Sequence, residues 1–206
     1  MMENEIELSD AQLDALKEVG NIGAAHASAA LEQMISKRIT INVPNAYLLP
    51  IEDLASVLGN EEDVIVMLFF KIFGEVEGSI IVAFTEEQAT FLANLLLGKD
   101  ESDRDMTEEK ESALKEVGNI LVSAYLTALS NLVGFNLMPS IPYIAYDMVA
   151  AVVDPLIIDL SQSVRYALAT DTEFFFSEKA IAGKCLTFFG GESFSAMLKA
   201  IGMHDK

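Results

Sequence analysis

The octapeptide ALKEVGNI occurs twice in this chain, letter for letter, at residues 15–22 and again at residues 113–120, an offset of 98 residues. At the same offset Pro44 pairs with Pro142. This period is longer than the repeats of about 20–50 residues that build solenoids. The repeat therefore predicts that a half-domain was duplicated, and that each copy must fold around the same helical segment.

The two halves predict one α+β domain over residues 1–206, with an internal pseudo-two-fold symmetry. The first half covers residues 9–98 and the second covers residues 107–202, and each reads as a helix, several strands and a closing helix. Domains of this length are common. We expect the strands of both halves to share one mostly antiparallel sheet, in a two-layer arrangement of helices on one sheet.

Local signals place a helix over each octapeptide. Ser9 with Gln12 three residues later has the letters of a capping box, and Thr107 is the expected N-cap of the second helix. Each helix then has a glycine near its middle, Gly20 and Gly118. A glycine inside a helix costs about 1 kcal/mol relative to alanine. Its recurrence at the same place predicts a close approach by another backbone, with the two helices in contact.

Alternating or continuous apolar runs mark the strands. DVIVMLFFKIFG and EGSIIVAF predict a hairpin, followed by a helix over residues 85–97 that Gly98 closes. The run RITINV predicts a strand that Pro44 ends. In the second half we expect an extended segment over residues 136–140, a helix over residues 192–201, and strands in YIAYDMVAAVV, VRYALATDTEFFFS and KAIAGKCLTFFG.

Composition excludes several classes of function. The net charge is −19, from 32 acidic and 13 basic residues, and such a field repels nucleic-acid phosphates and anionic membranes. The apolar run nearest in length to a membrane span, residues 141–158, is interrupted by Asp147 and Asp154. The N-terminus is acidic and polar, unlike a signal peptide. We expect a cytoplasmic protein without membrane insertion, and a buried, inert thiol at Cys185.

The polar letters of the octapeptide can carry chemistry. Glu18 and Asn21, like Glu116 and Asn119, are three residues apart and so share one helical face. A carboxylate can pair with a lysine, and an amide can orient a water molecule but is a poor general base because it does not titrate. A Glu/Asn pair is therefore an incomplete active site that needs a partner. The alternative is that these residues simply form the solvated face of a helix.

The two copies, KEVGNIGAAHASAAL…P and KEVGNILVSAYLTAL…P, resemble the paired signatures of the CheC/CheX/FliY phosphatases of bacterial and archaeal chemotaxis. The resemblance extends over both halves. Two complete copies look like the CheC form of this family, because CheX has one. The resemblance implies a pseudo-symmetric fold with both motif helices exposed on one side.

The resemblance also implies an activity, the dephosphorylation of the response regulator CheY. Glu18 and Glu116 would contact a lysine of phosphorylated CheY, while Asn21 and Asn119 would position the attacking water. A Mg²⁺ ion would lie on the regulator, and this chain would need no metal or cofactor of its own. CheD, a receptor-modifying deamidase, would be a second partner.

Four further residues belong to the family signature. Asp14 and Ser112 precede the glutamates by four residues, and Pro44 and Pro142 are expected to shape the segment that follows each helix. Two other functions stay open. The chain can be an adaptor that binds CheD or phosphorylated CheY with little catalysis, or a structural protein of the flagellar switch.

Overall fold

The structure is a computed structural model that describes residues 8–100, 102–176 and 179–200. Its elements fall in the same order in both halves. In the first half they are α1 (Asp10–Ile35), β1 (Ile39–Asn42), β2 (Ala46–Pro50), a 3-10 turn (Ile51–Asp53), α2 (Leu54–Leu58), β3 (Val64–Gly74), β4 (Gly78–Thr85) and α3 (Glu86–Leu97). In the second half they are α4 (Glu108–Val133), β5 (Leu137–Pro139), β6 (Tyr143–Met148), α5 (Val149–Leu160), β7 (Tyr166–Phe176), β8 (Lys179–Phe189) and α6 (Gly191–Ala200).

The strands of the described residues form one sheet in the order β1, β7, β8, β4, β3, β5, with β2 also beside β7 and β6 also beside β3. Every pairing among them is antiparallel. The hairpins β3–β4 and β7–β8 meet at the centre, through β4 and β8. Each half adds its first two strands to the hairpin of the other half. The predicted α+β class with a shared antiparallel sheet is confirmed.

Helices cover both faces of the sheet. One core lies between the sheet and the helices α1, α3, α4 and α6, and contains Leu68, Phe70 and Phe174. The other core lies under α2 and α5 and contains Ile81 and Phe188. Because strand β3 contributes buried residues to both cores, its sequence is a continuous apolar run rather than an alternating one. The short helices of the second face add a partial layer that the sequence did not predict.

The segment YIAYDMVAAVV is the clearest error of the sequence analysis. We predicted a strand throughout, but β6 ends at Met148 and helix α5 begins at Val149. Val149 and Val153, four residues apart, are buried on one face of α5. A short apolar run does not distinguish a strand from a buried helix by period alone. Among the described residues, no helix is long and apolar enough to cross a membrane.

Most other elements with clear end signals are confirmed. Thr85 caps α3 by accepting a hydrogen bond from the Gln88 N–H at 3.3 Å, and Gly98 ends it in the left-handed conformation with φ 64°. Thr107 caps α4, where its hydroxyl accepts from the Lys110 N–H at 3.4 Å. Strand β2 and helix α2 were not predicted. The predicted final helix corresponds to α6, and its last expected residue, Ile201, lies outside the described residues.

The mid-helix glycines do not contact another backbone as predicted. A Cβ at Gly20 would lie 3.0 Å from the Val43 side chain, and one at Gly118 would lie 2.6 Å from Cδ1 of Leu68. Helices α1 and α4 do pack against each other, but the close approach is at Gly23, where a Cβ would lie 2.8 Å from the Cα of Tyr125. Gly20 and Gly118 therefore make room for side chains, and Gly23 makes room for the other motif helix.

Candidate functional site on the two motif helices

Both octapeptides lie on helices of 26 residues, α1 and α4, which we call the motif helices. The Gln12 side chain accepts the backbone N–H of Ser9 at the start of α1. Each helix ends at a residue in the left-handed conformation, Ser36 with φ 55° and Gly134 with φ 75°. The helices lie side by side on the same face of the sheet. Glu18 with Asn21 is called the first motif, and Glu116 with Asn119 the second.

The glutamates of both motifs are exposed. Within the described residues, neither Glu18 nor Glu116 makes a hydrogen bond or an ion pair. Asp14 and Ser112, one turn earlier on each helix, are exposed as well. Each motif helix thus presents a polar ridge with a free carboxylate that is available to a cation of another molecule.

The Asn21 side chain is bound to the chain's own backbone. Its Nδ2 donates to the carbonyl oxygens of Lys17 and Val43, each at 3.1 Å, and its Oδ1 accepts the N–H of Val43 at 2.9 Å. An asparagine amide has two N–H donors. Both are therefore occupied in the first motif.

The Asn119 side chain is exposed and makes no hydrogen bond to any residue of the described chain. It follows Glu116 by three residues and lies on the same helical face. Its two donors and its carbonyl oxygen are thus available to water or to a partner. The motif asparagine is therefore bound to backbone in the first half and unbound within the described chain in the second.

The prolines lie in equivalent connections, Pro44 between β1 and β2 and Pro142 between β5 and β6. The residues before them differ sharply. Val43 is 5% exposed and packs over Gly20, whereas Ile141 is 90% exposed. Val43 was not predicted from the sequence to be a residue of the site. The available signal was Pro44, which directly follows Val43 and recurs as Pro142 at the offset of 98 residues.

The lysines near the motifs differ in their pairing. Lys17 and Lys115 each precede a motif glutamate and form no ion pair within the described residues. Lys110, in contrast, is fully buried and pairs with Asp103, with 3.1 Å from its Nζ to Oδ2. The described residues contain no group of three or more His, Cys, Asp or Glu side chains that could hold a metal ion.

Family models of known proteins match segments that contain each of the two motifs. The model for the CheC-like family matches residues 12–48, and the model for the chemotaxis phosphatase CheX matches residues 66–159. The CheY-P phosphatase CheC of Bacillus subtilis is 36% identical over 171 residues, which cover 82% of this chain and 82% of that protein. The chain belongs to the CheC family.

Other members and structures extend this result. A putative CheY-P phosphatase, CheC1 of Halobacterium salinarum, is 25% identical over 92% of this CheC-family chain and 96% of its own length. The crystal structure of Thermotoga maritima FliY superposes with a TM-score of 0.77 at 18% identity, covering 96% of this chain and 98% of that one. At that identity the structural match supports the shared fold alone.

Proposed function

We propose that this chain hydrolyses the aspartyl phosphate of a CheY-type response regulator, and that the Glu/Asn face of the second motif helix, α4, is the site. Two members of the family with similarity over most of the chain bear the name CheY-P phosphatase, one of them as putative. The observation that carries the proposal is the second motif. Glu116 and Asn119 are both exposed, one turn apart, and the Asn119 amide has no partner within the described chain.

The chemistry requires little from this chain. An aspartyl phosphate is an activated acyl phosphate, so its hydrolysis needs a water molecule in line with the bond from phosphorus to the aspartate oxygen. The water oxygen forms a bond to phosphorus while the bond from phosphorus to the aspartate oxygen breaks. Inorganic phosphate then leaves, and the aspartate carboxylate is regenerated. Placement of a reactant in the productive geometry lowers the barrier by removing entropy in advance. No covalent intermediate on this chain is needed.

The second motif divides this task between two side chains. The Asn119 amide offers donors and an acceptor at one point, which suits it to hold and orient the attacking water. Glu116 offers a charge for a lysine of the regulator, and such a charge-assisted contact fixes how the helix docks. We assign Mg²⁺ to the regulator, where it would neutralise charge on the transferred phosphoryl group.

The test is the decay of phosphorylated CheY from the same organism, with and without this protein. We expect the wild-type protein to accelerate the decay and Asn119→Ala to lose at least about tenfold of that acceleration, a loss on the order of 1.4 kcal/mol in transition-state stabilisation. Asn131→Ala is the matched control, because Asn131 is exposed on the same helix outside the motif.

Two results contradict the proposal. If Asn119→Ala and Asn131→Ala lose equal shares of the acceleration, the Asn119 amide does not contribute specifically to hydrolysis. If the wild-type protein does not accelerate the decay even with CheD added, the adaptor function is favoured instead.

A further inference from the structure

Strand β1 lies at the edge of the sheet, and helix α1 supplies the hydrogen-bond acceptors that this edge lacks. Three alternate backbone N–H groups of β1 and the residue after it donate to side chains of α1. These pairs, which we call the edge ladder, are Ile39 N–H to Glu32 Oε1 at 3.1 Å, Ile41 N–H to Ser28 Oγ at 2.9 Å, and Val43 N–H to Asn21 Oδ1 at 2.9 Å. Asn21 is the last rung of the edge ladder.

Asn21 binds this edge more fully than the other two rungs do. Besides accepting the Val43 N–H, it donates to the Val43 carbonyl oxygen at 3.1 Å, so one amide closes both backbone groups of that residue. The remaining donor goes to Lys17 O. With both N–H groups bound to carbonyls, the first motif has no amide donor left to hold a water molecule.

The second half has only the first rung of this ladder. The N–H of Leu137, which is the equivalent of Ile39 at the offset of 98 residues, donates to Ser130 Oγ at 3.2 Å. Ser130 stands at the place of Glu32. The start of β5 is thus fixed to α4 as the start of β1 is fixed to α1.

In the second half, both the donor and the acceptor of the second rung are missing from the sequence. Pro139 stands at the place of Ile41 and has no N–H to donate, and the fully buried Leu126 stands at the place of Ser28. The third rung does not form, since Ile141 is 90% exposed where Val43 is 5% exposed. Because the third rung does not form, the Asn119 side chain has no partner within the described chain.

The chain next to Val43 is also held from the opposite side. The Asn45 side chain donates to Asp171 Oδ2 at 3.0 Å, and the Asp171 N–H donates to Asn45 O at 3.1 Å. In the second half, Ser140, which stands at the place of Asn42, exchanges hydrogen bonds with Lys71 of β3. The segment over Asn21 is therefore held between α1 and β7. The Asn21 amide can turn toward another molecule only by breaking its two hydrogen bonds to Val43.

We infer that Asn21 is a structural clamp of the sheet edge, that the first motif is a latent site, and that the second motif performs the reaction. This inference rests on the proposed function and assigns the reaction to the second motif alone. The two identical octapeptides then have separate tasks, one in holding the strand and one in positioning the water.

The experiment compares Asn21→Ala with Asn119→Ala by three readouts, which are CheY-P decay, thermal unfolding, and hydrogen exchange of the Val43 amide. We expect Asn21→Ala to lower Tm by about 3–10 °C, because it leaves two backbone groups of Val43 without partners in a chain of 206 residues. We expect Val43 exchange to accelerate at least about tenfold, as for an amide that opens locally. At a temperature where it is folded, this variant should keep phosphatase activity within about twofold of wild type.

Asn119→Ala should give the opposite pattern, with Tm and Val43 exchange unchanged and the activity lost. Ser28→Ala serves as a second variant, since it breaks the middle rung without touching either motif and should lower Tm without loss of activity in the folded protein. Loss of activity in folded Asn21→Ala to the level of Asn119→Ala would overturn the latent-site inference. An unchanged Tm and Val43 exchange in Asn21→Ala would overturn the clamp. If the wild-type protein has no phosphatase activity, the proposed function fails, while Tm and exchange still decide the clamp.

Discussion

At the scale of the residue, identical letters do not have identical surroundings. Glu18 and Glu116 are both exposed, so the helical period alone predicted their placement. Asn21 and Asn119 differ because a distant segment returns to one and not to the other. In the sequence, this difference is visible only as Pro139 in the place of Ile41. The missing N–H of Pro139 can be interpreted only when the strand at the sheet edge is known.

The single thiol belongs to the same scale. Cys185 faces a small cavity between the motif helices and the sheet, and burial raises the pKa of its thiol from 9.0 to about 12, against a smaller opposing effect of a hydrogen bond with Thr170. The thiol stays protonated in the folded chain at pH values where it ionises in the unfolded chain. Folding stability should therefore fall as pH rises above about 9.

Urea unfolding between pH 8 and pH 11 checks this dependence. The unfolding free energy of the wild-type protein should fall with pH more steeply than that of Cys185→Ala. The variant should retain some decline, since burial also raises the pKa of Tyr125. Parallel curves for the two proteins would show that Cys185 does not contribute.

At the scale of the element, the sequence predicted what local signals determine. The hairpin β3–β4, helix α3 and its caps follow from turn letters and periodicity within a few residues. Helix α5 did not follow, because Val149 and Val153 are apolar in a strand pattern and a helix pattern alike. The edge ladder did not follow either, since it joins a helix to a strand whose position at the sheet edge is set by the whole sheet.

The contact between the motif helices gives a prediction at this scale. Gly23→Ala places a Cβ 2.8 Å from the Cα of Tyr125, and a backbone atom cannot rotate away. We expect it to destabilise the fold by about 1–2 kcal/mol, as overpacking in the upper part of the usual range, about 2–3 kcal/mol, less roughly 1 kcal/mol of helix propensity gained. Gly118→Ala meets the end of the Leu68 side chain, which can shift, and should stay within about 1 kcal/mol of wild type.

Urea midpoints of the two variants decide this comparison. Equal or reversed effects of Gly23→Ala and Gly118→Ala would show that the motif helices do not depend on this close approach.

At the scale of the whole molecule, the two halves are interleaved. The strands β1 and β2 pair with β7, and β5 and β6 pair with β3, so neither half closes its own sheet. The connector between α3 and α4 is fixed to both helices at Asp103, whose carbonyl accepts from Asn94 Nδ2 at 2.7 Å and from the buried Lys110 Nζ at 3.0 Å. Such a frame holds both motif helices on one face, while the sequence of each half sets what its motif does.

Binding of an activated regulator to this protein tests most directly the claim that only the second motif positions the water. The measurement follows the side-chain NH₂ resonances of Asn21 and Asn119 as CheY, activated with beryllofluoride and Mg²⁺, is added to the isotope-labelled protein. We predict that the Asn119 resonances shift or broaden as the complex forms, while those of Asn21 remain at their positions in the free protein. A response of Asn21 with Asn119 unchanged, or no response of either amide at saturation, would contradict the account.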